Sequence, residues 1–331
     1  MKKAKKGIVL SSILAISMFM GACSSNNAST GSKDSDAPAK DDGKRYVAII
    51  SKGFQHQFWQ AVKKGAEQAA DEYKVNITFV GPETEAQVDK QVEMLRSTLD
   101  KKPDAIGFAA LDSKAALPLL EQAKNKKIPV VAFDSGVEGD IPVATAATDN
   151  KAAAALAAEK MAGLIGEKGE VAVVAHDQTS KTGVERRDGF VNTIKSKYPN
   201  IKLVDIQYGS GDQLKSTDAA KAIMQAHPNV KGIFGTNEGS AIGVVNAVKE
   251  LNKKSVVVVG FDSGKLQIDA IKSGVMAGAI TQNPIGIGYE TVKAAVENLD
   301  GKQVSKTIDT GFYWYDKKNI DDPKIKEVLY Q

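Results

Sequence analysis

Pro129-Val130-Val131-Ala132-Phe133-Asp134-Ser135-Gly136 and Val257-Val258-Val259-Gly260-Phe261-Asp262-Ser263-Gly264 follow one pattern, an apolar run of strand length closed by Phe-Asp-Ser-Gly. A short continuous apolar run bounded by turn residues reads as a strand buried on both faces, as parallel sheets require. A second pair obeys the same logic. Ala105-Ile106-Gly107-Phe108-Ala109-Ala110-Leu111-Asp112-Ser113 and Gly232-Ile233-Phe234-Gly235-Thr236-Asn237-Glu238 are apolar strands that end in polar residues where a helix starts. The two pairs occur in the same order, so the chain reads as one α/β plan used twice.

Working outward from these strands, short apolar runs alternate with amphipathic stretches of helix length, the signature of βαβ units. The first half is expected to hold strands at 46–51, 76–80, 105–108 and 129–133, with helices at 58–73, 85–101 and 113–126. The second is expected to hold helix 151–165, strand 170–174, helix 182–197, strand 202–207, helix 213–225, strand 232–235 and helix 240–251. Strand 255–261, helix 265–273, strand 277–281 and helix 284–299 complete it. The fold class is therefore α/β, with two doubly wound parallel sheets. Ligands of such sheets bind beyond the carboxyl ends of the strands, where loops and helix N-termini converge. Asp134 and Asp262 lie at those ends, and the spacing directs both toward one cleft. A strand-end Asp also serves as a helix N-cap, and spacing alone leaves both roles open.

The 331 residues carry a formal net charge of +4, and Lys2, Lys3, Lys5 and Lys6 account for that excess in an acid-free opening. The remaining chain is balanced, so no nucleic-acid partner is expected. Those lysines precede an apolar run from Ile8 to Met20 and the small pair Gly21-Ala22, which reads as an export signal over 1–22. The run is short for a membrane span. Cys23 is the single cysteine, which excludes an intramolecular disulfide or a cysteine zinc cluster. Met20-Gly21-Ala22-Cys23 resembles the bacterial lipobox, and that resemblance implies cleavage before Cys23 and lipidation of its thiol. Residues 23–44, rich in Ser, Asn, Asp, Lys, Gly and Ala, read as a tether. The expected location is the extracytoplasmic face of the cell membrane, with the membrane touched through the lipid alone.

From Arg45 onward the chain resembles the ribose/galactose class of periplasmic sugar-binding proteins, the type I periplasmic binding protein fold. The resemblance rests on Phe58-Trp59, Ile128 to Asp134, Thr148-Asp149-Asn150, Arg186-Arg187-Asp188-Gly189-Phe190, Asn237-Glu238, Val259 to Asp262 and Gln282-Asn283-Pro284, which follow in the family's order. It implies two lobes joined by three crossings near Thr148, Gln282 and Asp309, with 45–148 plus 282–309 in the first lobe and 149–281 plus 310–331 in the second. It also implies a monomer that closes on a sugar or polyol and delivers it to an ABC permease with a cytoplasmic ATPase. No cofactor is expected.

The same resemblance implies ligand-binding roles for Ser51, His56, Phe58, Trp59, Asp134, Arg186, Asn237, Asp262 and Gln282. Sugar hydroxyls need charge-assisted partners, which Asp134, Asp262 and Arg186 supply, while a flat aromatic packs on the C–H face of the ring. Asn237 and Gln282 are expected to add bidentate amide contacts. Adjacent helical positions diverge by about 100°, so only one of Phe58 and Trp59 is expected in the cleft. The chain departs from the ribose pattern at Ser135, where ribose binders carry Arg, and near Gly211, where the closest aromatic is Tyr208. The first loop is also about one residue longer than in that pattern.

Rival functions lack their fingerprints. Neither Gly235-Thr236-Asn237-Glu238-Gly239 nor Gly286-Ile287-Gly288 completes a dinucleotide motif, and no phosphate loop or nucleophile triad is present. The three histidines are far apart in the chain, so no metal site is expected. A sugar-responsive repressor would begin with a DNA-reading helix-turn-helix, a place taken here by the leader. A receptor for a furanose-like signal molecule, acting through a membrane sensor, fits the same fold and stays open as the alternative.

Overall fold

A computed structural model describes residues 43–330. The leader, Cys23 and nearly all of the tether read from residues 1–44 lie outside the described residues. No described helix is long and apolar enough to cross a membrane.

Numbered in chain order, the first sheet contains β1 (Tyr46–Ile50), β2 (Asn76–Val80), β3 (Ala105–Phe108), β4 (Val130–Phe133), β5 (Ala144–Ala147) and β11 (Thr307–Asp309). The second contains β6 (Gly169–Ala175), β7 (Ile201–Tyr208), β8 (Val230–Gly235), β9 (Val257–Phe261), β10 (Gly278–Gln282) and β12 (Phe312–Asp316). The strand orders are β11-β5-β4-β3-β1-β2 and β12-β10-β9-β8-β6-β7, so the two sheets repeat one doubly wound order. All pairings are parallel except β12, which runs antiparallel to β10 at an edge.

Period-2 alternation gives each sheet an apolar core on both faces. In the first, Val47, Ile49, Val131 and Phe133 face one side while Ile50, Ile106, Phe108 and Val130 face the other. In the second, Ala172, Val174, Ile233 and Val258 oppose Val171, Val173, Phe234 and Val259. Helices α1 (Gln57–Tyr73), α2 (Val88–Asp100), α3 (Leu117–Asn125) and α9 (Pro284–Leu299) cover the first sheet. Helices α4 (Asn150–Leu164), α5 (Lys181–Lys197), α6 (Gln213–Ala226), α7 (Glu238–Glu250) and α8 (Lys265–Lys272) cover the second, and the short α10 (Pro323–Lys326) follows β12. Helices α1 and α9 approach so closely that a Cβ at Gly65 would lie 1.9 Å from the Ile285 carbonyl oxygen, and one at Gly288 1.9 Å from that of Val62. Only glycine permits that contact, which fixes α1 and the site residues on its first turn.

The chain passes between the sheets after β5, after β10 and between β11 and β12. The last passage is a tight turn in which Gly311, at φ 80°, donates its N–H to Asp309 Oδ1. Several details differ from the sequence reading. Strand β5 is Ala-Thr-Ala-Ala, with little strand propensity of its own, and forms because β4 and β11 flank it. Strands β11 and β12 were not expected either. Helix α3 starts at Leu117 rather than Ser113, because Asp112 Oδ1 accepts from the N–H groups of Lys114 and Ala115 and holds a turn there. Ile320 and Ile325 lie in the second-lobe core, and Tyr330 touches both lobes, its ring packing against Phe58 while its hydroxyl accepts from Ser263 N.

Candidate functional site

The loops beyond the carboxyl ends of both sheets meet around one narrow cavity, of about 20 Å³ with the lobes packed as they are here. The first lobe contributes Lys52, His56, Phe58, Trp59, Glu85 and Asp134, and the second contributes His176, Thr182, Arg186, Asn237, Asp262 and Gln282. Asp134 directly follows β4, and Asp262 directly follows β9. Both adopt left-handed backbone, with φ 53° and 81°, and both donate a main-chain N–H to the neighbouring strand, to Ala146 O and Ile280 O. Asp tolerates this conformation better than most residues. The turn aims each carboxylate into the cleft, so neither caps the helix that follows; α8 is preceded by Gly264.

The surroundings of the two carboxylates differ. Asp262 accepts from Gln282 Nε2 (2.7 Å) and from the main-chain N–H of Glu238 (2.9 Å), which opens α7. No described hydrogen-bond donor reaches the Asp134 carboxylate; its nearest cation is Arg186 Nη2, 3.9 Å from Oδ1. Burial pushes Asp134 up to about 6, with Glu85 and Asp262 adding to the rise and Lys52 and Arg186 opposing it.

Arg186 is held on three sides. It donates to Asn150 Oδ1 (2.7 Å) and Thr236 O (3.0 Å), and its guanidinium lies 3.8 Å from the Phe261 ring centroid. Lys52, also buried, donates to Thr182 Oγ1 across the cleft at 3.2 Å and keeps two further N–H groups. Burial would raise Glu85, but the charge of Lys52, with the Trp59 Nε1 hydrogen bond (2.9 Å), helps to hold that carboxyl below its ordinary value. Burial lowers His176, so its ring is neutral; Nδ1 lies 2.7 Å from the Thr236 hydroxyl and Nε2 3.3 Å from that of Thr182. The cavity thus presents ammonium and guanidinium donors opposite carboxylate acceptors, a pairing that one hydroxyl can satisfy from both sides.

Phe58 and Trp59 both line the cavity, which corrects the expectation that only one does. Their rings meet edge to face at 4.9 Å, so each shows part of its surface to the cleft. His56 also lines it, with Nε2 2.9 Å from Gln55 Nε2. Ser51 does not. Its hydroxyl donates to Gly53 O and Val80 O and lies against Gly81, joining the ends of β1 and β2. Tyr208 is not a lining residue either; its hydroxyl accepts from Arg187 Nη1. The amides of Asn237 and Gln282 already hold protein partners. Asn237 Oδ1 caps α7 through Ser240 N, and Gln282 already binds Thr148 Oγ1 and Asp262, so each amide has only part of its capacity left.

Lys52, Glu85, His176 and Thr182 escaped the sequence reading. His176 directly follows β6, as the aspartates follow β4 and β9, so the strand-end rule would have found it; Lys52 lies one position further on, two residues past the end of β1. Glu85 sits in the loop after β2, and only the tertiary structure brings it to the cleft. His56 and His176, distant in sequence, share the cavity, yet among the described residues no cluster of three or more metal-ligating side chains occurs.

The lobes also meet around the rim. Gln55 Nε2 donates to Gly211 O, Gln57 Oε1 accepts from Lys265 N, and Ser113 N donates to Thr179 O. Helix α1 has no side-chain cap of its own, and Gln57 N points instead to Glu238 Oε1 of the second lobe at 3.5 Å. Burial pushes Glu238 up to about 7.

Residues 47–303 match the family model described as periplasmic binding protein domain. The chain belongs to that family. It is 30% identical over 259 residues to the D-allose-binding periplasmic protein of Escherichia coli, covering 76% of this chain and 83% of the relative. It is 27% identical over 308 residues to the ribose import binding protein of Bacillus subtilis, covering 93% and 97%. Among solved structures, an ABC transporter solute-binding protein from Agrobacterium vitis with bound D-fucose superposes with a TM-score of 0.83 at 34% identity, over 86% of this chain and 100% of that one. These relatives are binding proteins of transport systems rather than enzymes, and the two-lobed parallel α/β architecture is theirs.

Proposed function

We propose that this protein is an extracytoplasmic solute-binding protein that captures a monosaccharide or polyol between its lobes and delivers it to an ABC importer. The observation that carries this reading is the buried Asp134 carboxylate, without a protein hydrogen-bond donor, facing the N–H groups of Lys52 and Arg186 beside the Phe58 and Trp59 rings. A ligand hydroxyl donates to the carboxylate while accepting from the cations, and the aromatic surfaces take the apolar face of a sugar ring. Relatives named for D-allose and ribose, and a neighbour holding D-fucose, support the same ligand class.

In this proposal His56, Phe58, Trp59, Asp134, Arg186, Asn237, Asp262 and Gln282 contact or shape the ligand, and Lys52, Glu85, His176 and Thr182 join them. Residues 45–148 plus 282–309 act as one lobe against 149–281 plus 310–331, with closure coupled to binding because the ligand touches both. The protein acts as a monomer, held outside the membrane by lipid on Cys23 after removal of residues 1–22. Mass spectrometry of the membrane-extracted protein tests the anchor: an unmodified Met1 or an unlipidated Cys23 rejects it.

A thermal-shift screen of residues 45–331 against pentoses, hexoses and polyols tests the ligand class. At 100 times its dissociation constant a ligand stabilises the folded state by about 2.7 kcal/mol. A flat profile across the library rejects the sugar reading.

A further inference from the structure

A second cavity of about 280 Å³ lies beside the crossings between the lobes, and Asp134 borders both it and the first. Its walls come from β5 and β11 of the first lobe and from the starts of α4 and α5 of the second, so it too is shaped by both lobes. One layer of side chains separates the cavities. Arg186 in the first donates to Asn150 in the second, and Gln282 in the first accepts from Thr148 in the second. The remaining member of that layer is Asp134, whose carboxylate no described donor satisfies although the residue is 95% buried (5% exposed). A ligand hydroxyl that donates to Asp134 therefore sits at the junction of the two spaces.

The chemistry of the second cavity narrows what it takes. Thr145 and Thr307 offer hydroxyls, Lys151 and Lys181 offer ammonium groups, and Glu185 and Asp309 offer carboxylates; no aromatic ring among the described residues lines it. Both signs of charge are present, so an anionic group would meet acids as well as lysines, and nothing stacks an apolar substituent. A neutral, hydroxyl-rich unit meets donors and acceptors throughout.

We propose that the second cavity is a subsite for a second sugar unit, so that the protein accepts a disaccharide or O-glycoside whose first ring occupies the aromatic cavity, donates a hydroxyl to the Asp134 carboxylate and is linked to the second unit beside that residue. This rests on the sugar reading above and extends it from a single ring to an extended ligand.

Isothermal titration of the detergent-solubilised full chain tests it. The ligands are the best monosaccharide of the screen, its methyl glycosides, disaccharides that contain it, and its 1-phosphate. At least one disaccharide is expected to bind as tightly as the monosaccharide or about tenfold tighter, since two or three added hydrogen bonds of ordinary strength supply that factor. Thr145→Trp, and separately Thr307→Trp on the exposed edge strand, should weaken the disaccharide about tenfold while leaving the monosaccharide within about twofold. The second variant guards against misfolding of the first. Monosaccharide binding with every glycoside and disaccharide about a hundredfold weaker overturns the subsite alone, as does an equal loss of both ligand types in both variants. A 1-phosphate bound more tightly than any disaccharide overturns the assignment of a neutral unit. Absence of binding by any carbohydrate, single or linked, overturns the subsite and the sugar reading together.

Discussion

Asp134 and Asp262 end the same Phe-Asp-Ser-Gly motif, share a left-handed backbone and face one cavity, yet they sit in opposite electrostatic situations. Asp262 accepts two hydrogen bonds, from Gln282 and from the start of α7, and thereby ties β9, β10 and α7 together. Asp134 accepts none from the described residues and lies between Lys52, Arg186, Glu85 and Asp262 with its ionised form penalised by burial. Duplication of a motif reproduced the backbone, and the neighbours then divided the work. One carboxylate organises the protein, and the other is left for a ligand.

The largest effect that would break this contrast is on stability. Asp262→Ala strands the Gln282 amide and the Glu238 N–H in a buried site, and loss of two charge-assisted bonds is expected to cost about 3–5 kcal/mol in denaturant unfolding. An unchanged midpoint would mean that Asp262 has no structural role.

The next effect has the opposite sign and depends on pH. A carboxyl raised in the folded state from 3.8 to about 6 leaves the folded state penalised above about 6, and the penalty is relieved as pH falls toward 4. Asp134→Asn removes it, so the variant should gain about 1–3 kcal/mol relative to wild type between pH 4 and pH 7, read from paired unfolding curves. A gain that is constant with pH would show that Asp134 does not titrate in this range.

Ligand affinity separates the pair further. Asp134→Asn is expected to weaken sugar binding about 10- to 100-fold at pH 7, as loss of one charge-assisted bond predicts. In wild type the affinity should fall as pH drops below about 6, because protons compete for the acceptor, and in the variant it should not. Titration calorimetry at pH 5 and pH 7.5 measures both.

The smallest effect concerns the rim. Glu238→Gln keeps an acceptor near Gln57 N and removes a buried charge, the weaker neutral acceptor offsetting part of the gain, so a net stabilisation of about 1 kcal/mol is expected that grows as pH rises from about 4.5 to about 7 and is absent below about 4.5. A loss of several kcal/mol would mean that the charge itself holds α1 against the second lobe.

Much of the architecture was legible because parallel sheets impose a strong local code. Continuous apolar runs such as Val130 to Phe133 and Val257 to Phe261 can only be buried on both faces, and their polar ends mark where loops converge. Strand β5 was not legible, since Ala-Thr-Ala-Ala acquires strand character only from its neighbours. Strands β11 and β12 escaped because a short connection between lobes leaves little periodicity to read. In the cavity, the aspartates announce themselves through a repeated motif, whereas Glu85 comes from a loop with no pattern of its own. Ser51 illustrates the reverse error, a strand-end polar residue whose hydroxyl turns back onto the main chain of its own sheet.

Residue order along the chain was sufficient to establish the duplicated α/β plan, the strand-end carboxylates and the aromatic helix start, because each depends on hydrophobic period and on the chemistry of a few adjacent residues. Whether Phe58 and Trp59 both reach the cleft, which aspartate keeps its acceptors free, and that Lys52 spans to Thr182 depended on how two lobes pack. Those outcomes turn on distances of a few ångströms and on the burial of charge, quantities that exist only once segments remote in sequence have been brought together.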